Sequence, residues 1–145
     1  MFDSTGEGEY AEVFQAVDLR NNKECVVKVL KPTEKHLVKL EIKILQDLVG
    51  GPNIIRLVDV ARNSVGKSPS IVTEYVNNSY YRDLYASFDD TDVRFYLFQL
   101  LAAVDYAHSK NIMHRDIKPH NIMIDHESRK VCHHPLLRSL SFSVP

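Results

Sequence analysis

The residues best suited to chemistry lie in the short polar stretch at 114–121, which reads HRDIKPHN. Asp116 supplies a carboxylate, Lys118 an amine and Asn121 an amide. A carboxylate can orient a hydroxyl group and accept its proton, an ammonium group can offset negative charge, and an amide oxygen is a hard ligand suited to Mg²⁺. This combination suits the transfer of a charged group, such as a phosphoryl group, to a hydroxyl acceptor. The alternative interpretation is a polar turn between a helix and a strand.

The length and composition fit a folded domain. The chain has 145 residues, a formal net charge of −1 and 44% hydrophobic residues, which is enough for one core. The near-zero charge gives no support for a nucleic-acid partner or for attraction to an anionic membrane. Cys25 and Cys132 are too few for a disulfide framework and fit a reducing compartment. No apolar run approaches the roughly 18 residues of a membrane span, and no export signal is seen. We therefore expect an intracellular protein with no membrane or nucleic-acid partner.

The N-terminal region predicts a hairpin. Residues 6–17 read GEGEYAEVFQAV, in which Gly6 and Gly8 are followed by alternating apolar positions. Against the glycine-rich pattern G-x-G-x-x-G-x-V, Val13 holds the valine position but Ala11 holds the third glycine position. Taken alone, the stretch therefore fits an ordinary hairpin turn equally well.

A lysine in an apolar strand and a carboxylate on an apolar helix face together predict an ion pair. Lys28 lies within the β-rich run at 25–30, where it could also lie at a sheet edge with its amine in water. The helix predicted at 35–49 places Glu41 on the same stripe as its leucines and isoleucines. Because a carboxylate on such a face is costly unless it is paired, Lys28 is its expected partner.

The remaining sequence predicts two strands, a connector, a long helix and a further strand. The two strands are predicted at 54–61 and 70–76, and the polar connector at 77–79 is interpreted as a hinge. The helix predicted at 90–111 has acidic residues near its start, and Asn111 can close it in a left-handed conformation. A short strand is predicted at 121–125. The apolar stripe of the long helix consists of Val93, Leu97, Leu100, Leu101, Val104 and His108.

The order of these features resembles eukaryotic protein kinases. A glycine-rich turn, a strand lysine, a helix glutamate, a hinge and a His-Arg-Asp-x-Lys-x-x-Asn pattern follow one another as in that family. Longer matches resemble the catalytic (alpha) subunits of casein kinase II. They are GGPNII at 50–55, VNN at 76–78, DVRFY at 92–96 and IMHRDIKPHNIMIDHESRK at 112–130. The resemblance runs from about Gly6 to Val131.

The resemblance implies an α+β, protein-kinase-like fold. It would consist of a small lobe, with an antiparallel sheet plus one helix, followed by an incomplete helical large lobe. The implied small lobe covers 1–76, with a shortened first strand. The hinge and the start of the large lobe, which carries the catalytic loop (residues 114–121), cover 77–131, and a divergent tail covers 132–145.

The resemblance implies an ATP-dependent serine/threonine protein kinase of the casein kinase II alpha type. Asp116 would then be the catalytic base, Lys118 its charge partner and Asn121 a ligand of Mg²⁺. Lys28, held by Glu41, would contact the phosphates of ATP. The other implied nucleotide-binding residues, which would supply the turn, the apolar walls and the hinge backbone, are Gly6, Gly8, Val13, Val26, Met123, Glu74 and Val76. Implied partners are protein substrates and a casein kinase II beta-type regulatory subunit, and the implied location is the cytoplasm and nucleus.

The sequence departs from the family's pattern in ways that favour an alternative. After Val131 the family continues to an Asp-Trp-Gly whose aspartate binds Mg²⁺, but Pro135 stands at that position and 132–145 contains no acidic residue. Thr73 also stands where these kinases usually have phenylalanine. The alternative is a truncated, catalytically incompetent kinase fragment that acts at most as a nucleotide- or regulatory-subunit-binding module. A zinc site at 132–134 (CHH) would lack a second ligand cluster.

Overall fold

A computed structural model describes residues 3–7, 11–30, 35–62, 69–133 and 140–141. Predictions that fall on other residues, including those for Gly8 and Pro135, lie outside this described part. Within it the chain forms nine strands and three helices. The strands are β1 Asp3–Glu7, β2 Ala11–Asp18, β3 Lys23–Leu30, β4 Leu57–Arg62, β5 Pro69–Glu74, β6 Ile112–Met113, β7 Ile122–Asp125, β8 Lys130–His133 and β9 Leu140–Ser141. The helices are α1 Lys35–Asp47, α2 Tyr81–Ala86 and α3 Asp90–Ser109.

The chain divides into two compact units. The first unit comprises Met1–Gln46 and Arg56–Tyr75, and the second comprises Asp47–Ile55 and Val76–Pro145. An antiparallel sheet with one helix forms the first unit, which confirms the α+β fold class predicted from the sequence. The lobe boundaries at 1–76, 77–131 and 132–145 stay predictions.

The sheet of the first unit has the order β1-β2-β3-β5-β4, and every neighbouring pair is antiparallel. A short turn joins β2 to β3, in which Asn22 has a φ of 57°, a left-handed conformation that asparagine tolerates. In the same turn the Asp18 carboxylate accepts hydrogen bonds from the backbone and the guanidinium of Arg20. The central strand β3 therefore has paired strands on both sides.

Helix α1 buries one apolar face, as its sequence period predicts. It ends at Asp47, two residues before the predicted end, and the chain turns at Gly50 with a φ of 80°. The side chain of Leu37, which the predicted stripe included, lies outside the described part. The buried residues of α1 are Val38, Glu41, Ile44 and Leu45.

Helix α3 is the longest helix and has defined caps at both ends. Asp89 accepts a hydrogen bond from the Asp92 N–H at 2.8 Å, and the Asp92 carboxylate accepts one from the Asp89 N–H at 3.4 Å, which forms a capping box. Just past the other end, Asn111 has a φ of 58°, which confirms its predicted left-handed conformation.

The apolar stripe of α3 is largely exposed. Val93 is 41% exposed, Leu97 53% and Leu101 64%. The helix instead buries Tyr96, Ala103 and Ala107. In the same unit, a hydrophobic cluster packs Tyr96 with Leu84, Ile124 and Val131.

The segment after α1 in the second unit connects to both α3 and β8. Asn53 has a φ of 56°, and its amide nitrogen donates to the backbone oxygen of Gln99 at 2.9 Å and to that residue's Oε1 at 2.6 Å. The Asn53 carbonyl accepts from the His133 N–H at 2.8 Å, and the Ile55 N–H donates to the His133 carbonyl at 3.1 Å. The ring of Tyr106 lies so close to Gly51 that a Cβ there would collide with it.

The part of the tail that the structure describes is ordered into strands. β8 pairs with β7, and β9 pairs with β6 through Ile112↔Ser141 and Met113↔Leu140. The described residues of the predicted tail, at 132–133 and 140–141, thus lie in strands. Among the helices in the described ranges, none is long and apolar enough to cross a membrane.

Candidate active site

The structure brings together the three residues of the catalytic loop that the sequence singled out. Lys118 Nζ lies 3.0 Å from Oδ2 of Asp116. The amide nitrogen of Asn121 donates to the same Oδ2 at 3.1 Å and to the Asp116 carbonyl at 2.7 Å. These bonds fix the orientation of the carboxylate, whose side chain is 24% exposed. A partly exposed, oriented carboxylate beside an ammonium group can accept a proton from a bound hydroxyl.

The backbone of the loop turns sharply to place these side chains. Arg115 has a φ of 62°, which is uncommon for a residue with a side chain and marks a constrained site. On one side of it, the buried His114 accepts the Asp116 N–H at its Nδ1, at 3.1 Å. On the other side, Pro119 opens a 3-10 turn that ends at Asn121. The loop is thus fixed at both ends by buried side chains.

Asn121 fits one position around a Mg²⁺ ion. Its amide nitrogen donates to Asp116, and neither of those bonds uses the amide oxygen, which is the atom a hard cation prefers. Within the ranges that the structure describes, no group of three or more His, Cys, Asp and Glu residues could hold a metal ion.

In the first unit, four of the predicted nucleotide-binding residues lie in neighbouring rows of the sheet. Gly6 pairs with Val13 and Val13 with Lys28, which forms one row across β1, β2 and β3. Two residues along β3, Val26 pairs with Thr73 of β5. Because side chains two apart on a strand share a face, Val13, Val26 and Lys28 lie on one face of the sheet.

The predicted ion pair between β3 and α1 is confirmed. Lys28 Nζ lies 2.5 Å from Oε1 of Glu41, and the two side chains are 13% and 0% exposed. Among the described residues, Oε2 of Glu41 has no hydrogen-bond partner. The pair holds the lysine amine at a defined place on the sheet, and the contact of Lys28 with phosphates stays a prediction.

The predicted hinge residues have their own backbone contacts. In the first unit, the Glu74 N–H donates to the Arg56 carbonyl at 3.0 Å, and its Oε1 accepts from the Arg56 N–H at 2.9 Å. In the second unit, the buried Val76 accepts from the Asn78 N–H at 2.7 Å. Asn78 Oδ1 accepts from the Ile124 N–H at 2.7 Å, beside Met123 in β7. The roles of Glu74, Val76 and Met123 toward a base stay predictions.

His133 lies next to the loop, although from the sequence it was considered only as part of a possible zinc site at 132–134. His133 is 3% exposed, and its ring centroid lies 4.1 Å from that of His114. Burial, and then the nearby His114, lower the pKa of His133 from its ordinary value to about 4. The available signal was the strand that the family resemblance implies after Val131. In such a strand His133 lies on the same face as Val131, although no side-chain pattern pointed to His114.

The comparison with known families agrees with this geometry. A family model described as the protein kinase domain matches residues 2–141. That range includes every predicted site residue and extends past the stretch at 6–131 at both ends. The sequence pattern, the antiparallel sheet with its Lys28–Glu41 pair and the arrangement around Asp116 are thus accounted for together: the chain belongs to the protein kinase domain family.

Proposed function

We propose that the chain is a serine/threonine protein kinase of the casein kinase II alpha type. Membership of the protein kinase family implies phosphoryl transfer, and the family generally uses ATP and Mg²⁺. The finer assignment is supported by the matches at 50–55, 76–78, 92–96 and 112–130. The observation that carries the proposal is the shared contact of Lys118 and Asn121 with the Asp116 carboxylate.

In the proposed reaction Asp116 accepts the proton of the acceptor serine or threonine hydroxyl. Lys118, held against that carboxylate, offsets the negative charge that develops on the transferred group. Asn121 would hold the cation through its amide oxygen, and Lys28 would bind phosphate oxygens through its ammonium group. When bound, ATP would supply the phosphoryl group and Mg²⁺ would offset much of the negative charge on its phosphates.

A phosphoryl-transfer assay tests this proposal. The 145-residue chain is incubated with γ-labelled ATP, Mg²⁺ and serine, threonine and tyrosine peptides in acidic and neutral sequence contexts. The expected result is label on serine or threonine that Asp116→Asn reduces by at least about 10³-fold, because the base is lost. Asp105→Asn, which changes an exposed aspartate of α3, is the matched control and should leave transfer unchanged. A rate of phosphoryl transfer that Asp116→Asn leaves unchanged would refute the proposal.

A second candidate function is a nucleotide- or regulatory-subunit-binding module without catalysis. Its support is Pro135 at the position of the metal-binding aspartate and the absence of acidic residues from 132–145. Nucleotide binding measured by calorimetry, or capture of a casein kinase II beta-type subunit, without any label transfer would favour this candidate. Proteins of this proposed type act in the cytoplasm and nucleus, which imaging of a tagged full-length protein would test.

A further inference from the structure

Two buried histidines meet behind the catalytic loop in the second unit. His114 opens the loop after β6, and His133 ends β8. Their ring centroids lie 4.1 Å apart with the planes tilted by 50°, and the two residues are 5% and 3% exposed. Such a contact between buried rings requires both residues to keep their places, because no water layer separates them.

His114 connects this contact to the catalytic carboxylate. Its Nδ1 accepts the Asp116 N–H at 3.1 Å, so Nδ1 is the nitrogen without a proton. A proton on Nδ1 would remove the acceptor and break this bond. The backbone position of Asp116 therefore depends on His114 being neutral and in place.

His133 is itself held by the backbone on both sides. Its N–H donates to the Asn53 carbonyl at 2.8 Å, its carbonyl accepts from the Ile55 N–H at 3.1 Å, and it pairs with Ile122 of β7. Its Nε2 is buried and has no hydrogen-bond partner among the described residues. A charge on this ring would thus be buried with no carboxylate beside Nε2 to accept its N–H, which is strongly unfavourable.

We propose that His133 is a positioning residue for the catalytic loop. Its neutral ring holds His114 in place, and the loop opens when the histidine pair takes up a proton. The proposal deepens the function proposed above, in which Asp116 is the base. The contact of His133 with His114 can be tested without an assay of phosphoryl transfer.

The direction of the pH effect follows from burial. In the folded state the pKa of His133 is lowered to about 4, whereas an exposed histidine titrates near its ordinary value of 6.5. Between these two values an opened state binds one more proton than the closed state, so acid favours opening by up to about tenfold per pH unit. The titratable group that acts on His133 is His114, which itself contacts Asp116. Backbone partners of His133 come from Ile122 and from residues 53–55, and helix α3, which carries Asp105 and His108, also lies against β8.

Amide hydrogen exchange on the full 145-residue chain tests the proposal. Protection factors of the Asp116 amide are measured by NMR from about pH 7.5 to about pH 4.5, a range that spans the titration. The Val27 amide in β3 reports opening of the first unit. Three variants are compared with the unchanged chain: His133→Ala removes the ring, His133→Phe keeps a ring that cannot titrate, and His108→Gln removes an exposed histidine as the matched control.

The proposal expects three results. His133→Ala lowers Asp116 protection by at least about tenfold near neutral pH with little change at Val27, and His133→Phe preserves that protection. His133→Phe also makes the opening equilibrium of the loop less dependent on pH, by up to one bound proton or about tenfold per pH unit. His108→Gln leaves this pH dependence unchanged.

Two results would overturn it. Either His133→Ala leaves Asp116 protection unchanged, or His133→Phe keeps the full acid dependence. If His133→Ala fails to fold, the pH dependence of His133→Phe decides the question alone. Because none of these measurements uses ATP, a failure here is distinct from a failure of the proposed kinase activity.

Discussion

Lys28 Nζ and Glu41 Oε1 lie 2.5 Å apart, and the carboxylate that the lysine holds is almost fully buried. The attraction within a buried pair does little more than offset the cost of removing two charges from water. The second oxygen of Glu41 has no partner in the described part of the chain, so the pair is not optimised for stability. Its value lies in placing an ammonium group at a defined point on the sheet.

This relationship predicts a non-additive double-mutant cycle. Lys28→Met or Glu41→Leu alone should destabilise the chain by about 3–5 kcal/mol, because each leaves a buried charge without its partner. The double variant should be more stable than either single variant. Urea denaturation measures the four free energies of unfolding, those of the unchanged chain, the two single variants and the double variant. As a control, Arg94→Gln breaks an exposed pair with Asp90 and should cost no more than about 1 kcal/mol. Strict additivity would contradict the interpretation of a buried pair.

Phosphoryl transfer by the 145-residue polypeptide should be slow. Among the residues that the structure describes, no acidic cluster joins Asn121, and Mg²⁺ is normally fixed by carboxylates together with phosphates. We expect a rate several orders of magnitude below that of a complete casein kinase II alpha subunit assayed in parallel. A comparable rate that Asp116→Ala abolishes would show that another group holds the metal. Titrating Mg²⁺ gives an independent measure, since a weak site requires a high concentration for half-maximal transfer.

The exposed stripe of α3 should make the chain self-associate. Leu97 and Leu101 are more than half exposed, as is Phe98 at 69%, so they form an apolar surface on one helix. Leu97→Glu with Leu101→Glu should reduce binding of a hydrophobic dye and shift the sedimentation profile toward monomer, with little loss of stability. Thr91→Glu adds a charge to the exposed start of the same helix and should change neither measurement. Equal dye binding by all variants would place the apolar surface elsewhere.

Asn53 should contribute to stability in two separable ways. Asn53→Ala removes both hydrogen bonds to Gln99 and places alanine at a φ of 56°, so we expect a loss of about 2–4 kcal/mol. Asn53→Gly removes the same bonds but tolerates the positive φ, so it should cost about 1 kcal/mol less. Urea denaturation separates the two variants. If they are equally stable, backbone strain does not contribute at this position.

The sequence anticipates the contacts within the catalytic loop, the ion pair of the first unit and the left-handed conformation of Asn111. Asp116, Lys118 and Asn121 lie within six residues, so a fixed local pattern is enough to bring them together. Lys28 and Glu41 are farther apart, but a charge in an apolar strand and a charge on an apolar helix face each require a partner. Asn111 was predictable because a left-handed helix end favours asparagine or glycine.

The features that the sequence did not reveal depend on tertiary contacts. Helix α2 is only six residues long, and its single buried residue, Leu84, gives no period to recognise. The buried face of α3 contains Ala103 and Ala107, which are too small to stand out against the leucines of the exposed stripe. The contact of His133 with His114 joins the end of β8 to the start of the catalytic loop, and only the fold brings them together.

The bonds of Asn53 also set an order of events during synthesis. Asn53 leaves the ribosome well before Gln99 and His133, the residues that satisfy its side chain and its carbonyl. The catalytic loop, by contrast, is bonded to itself over a few residues and can form as soon as it emerges. The segment around Asn53 therefore keeps its polar groups hydrogen-bonded to water until β8 has been synthesised. A nascent chain stalled before β8 should contain a catalytic loop that lacks the contact of His114 with His133.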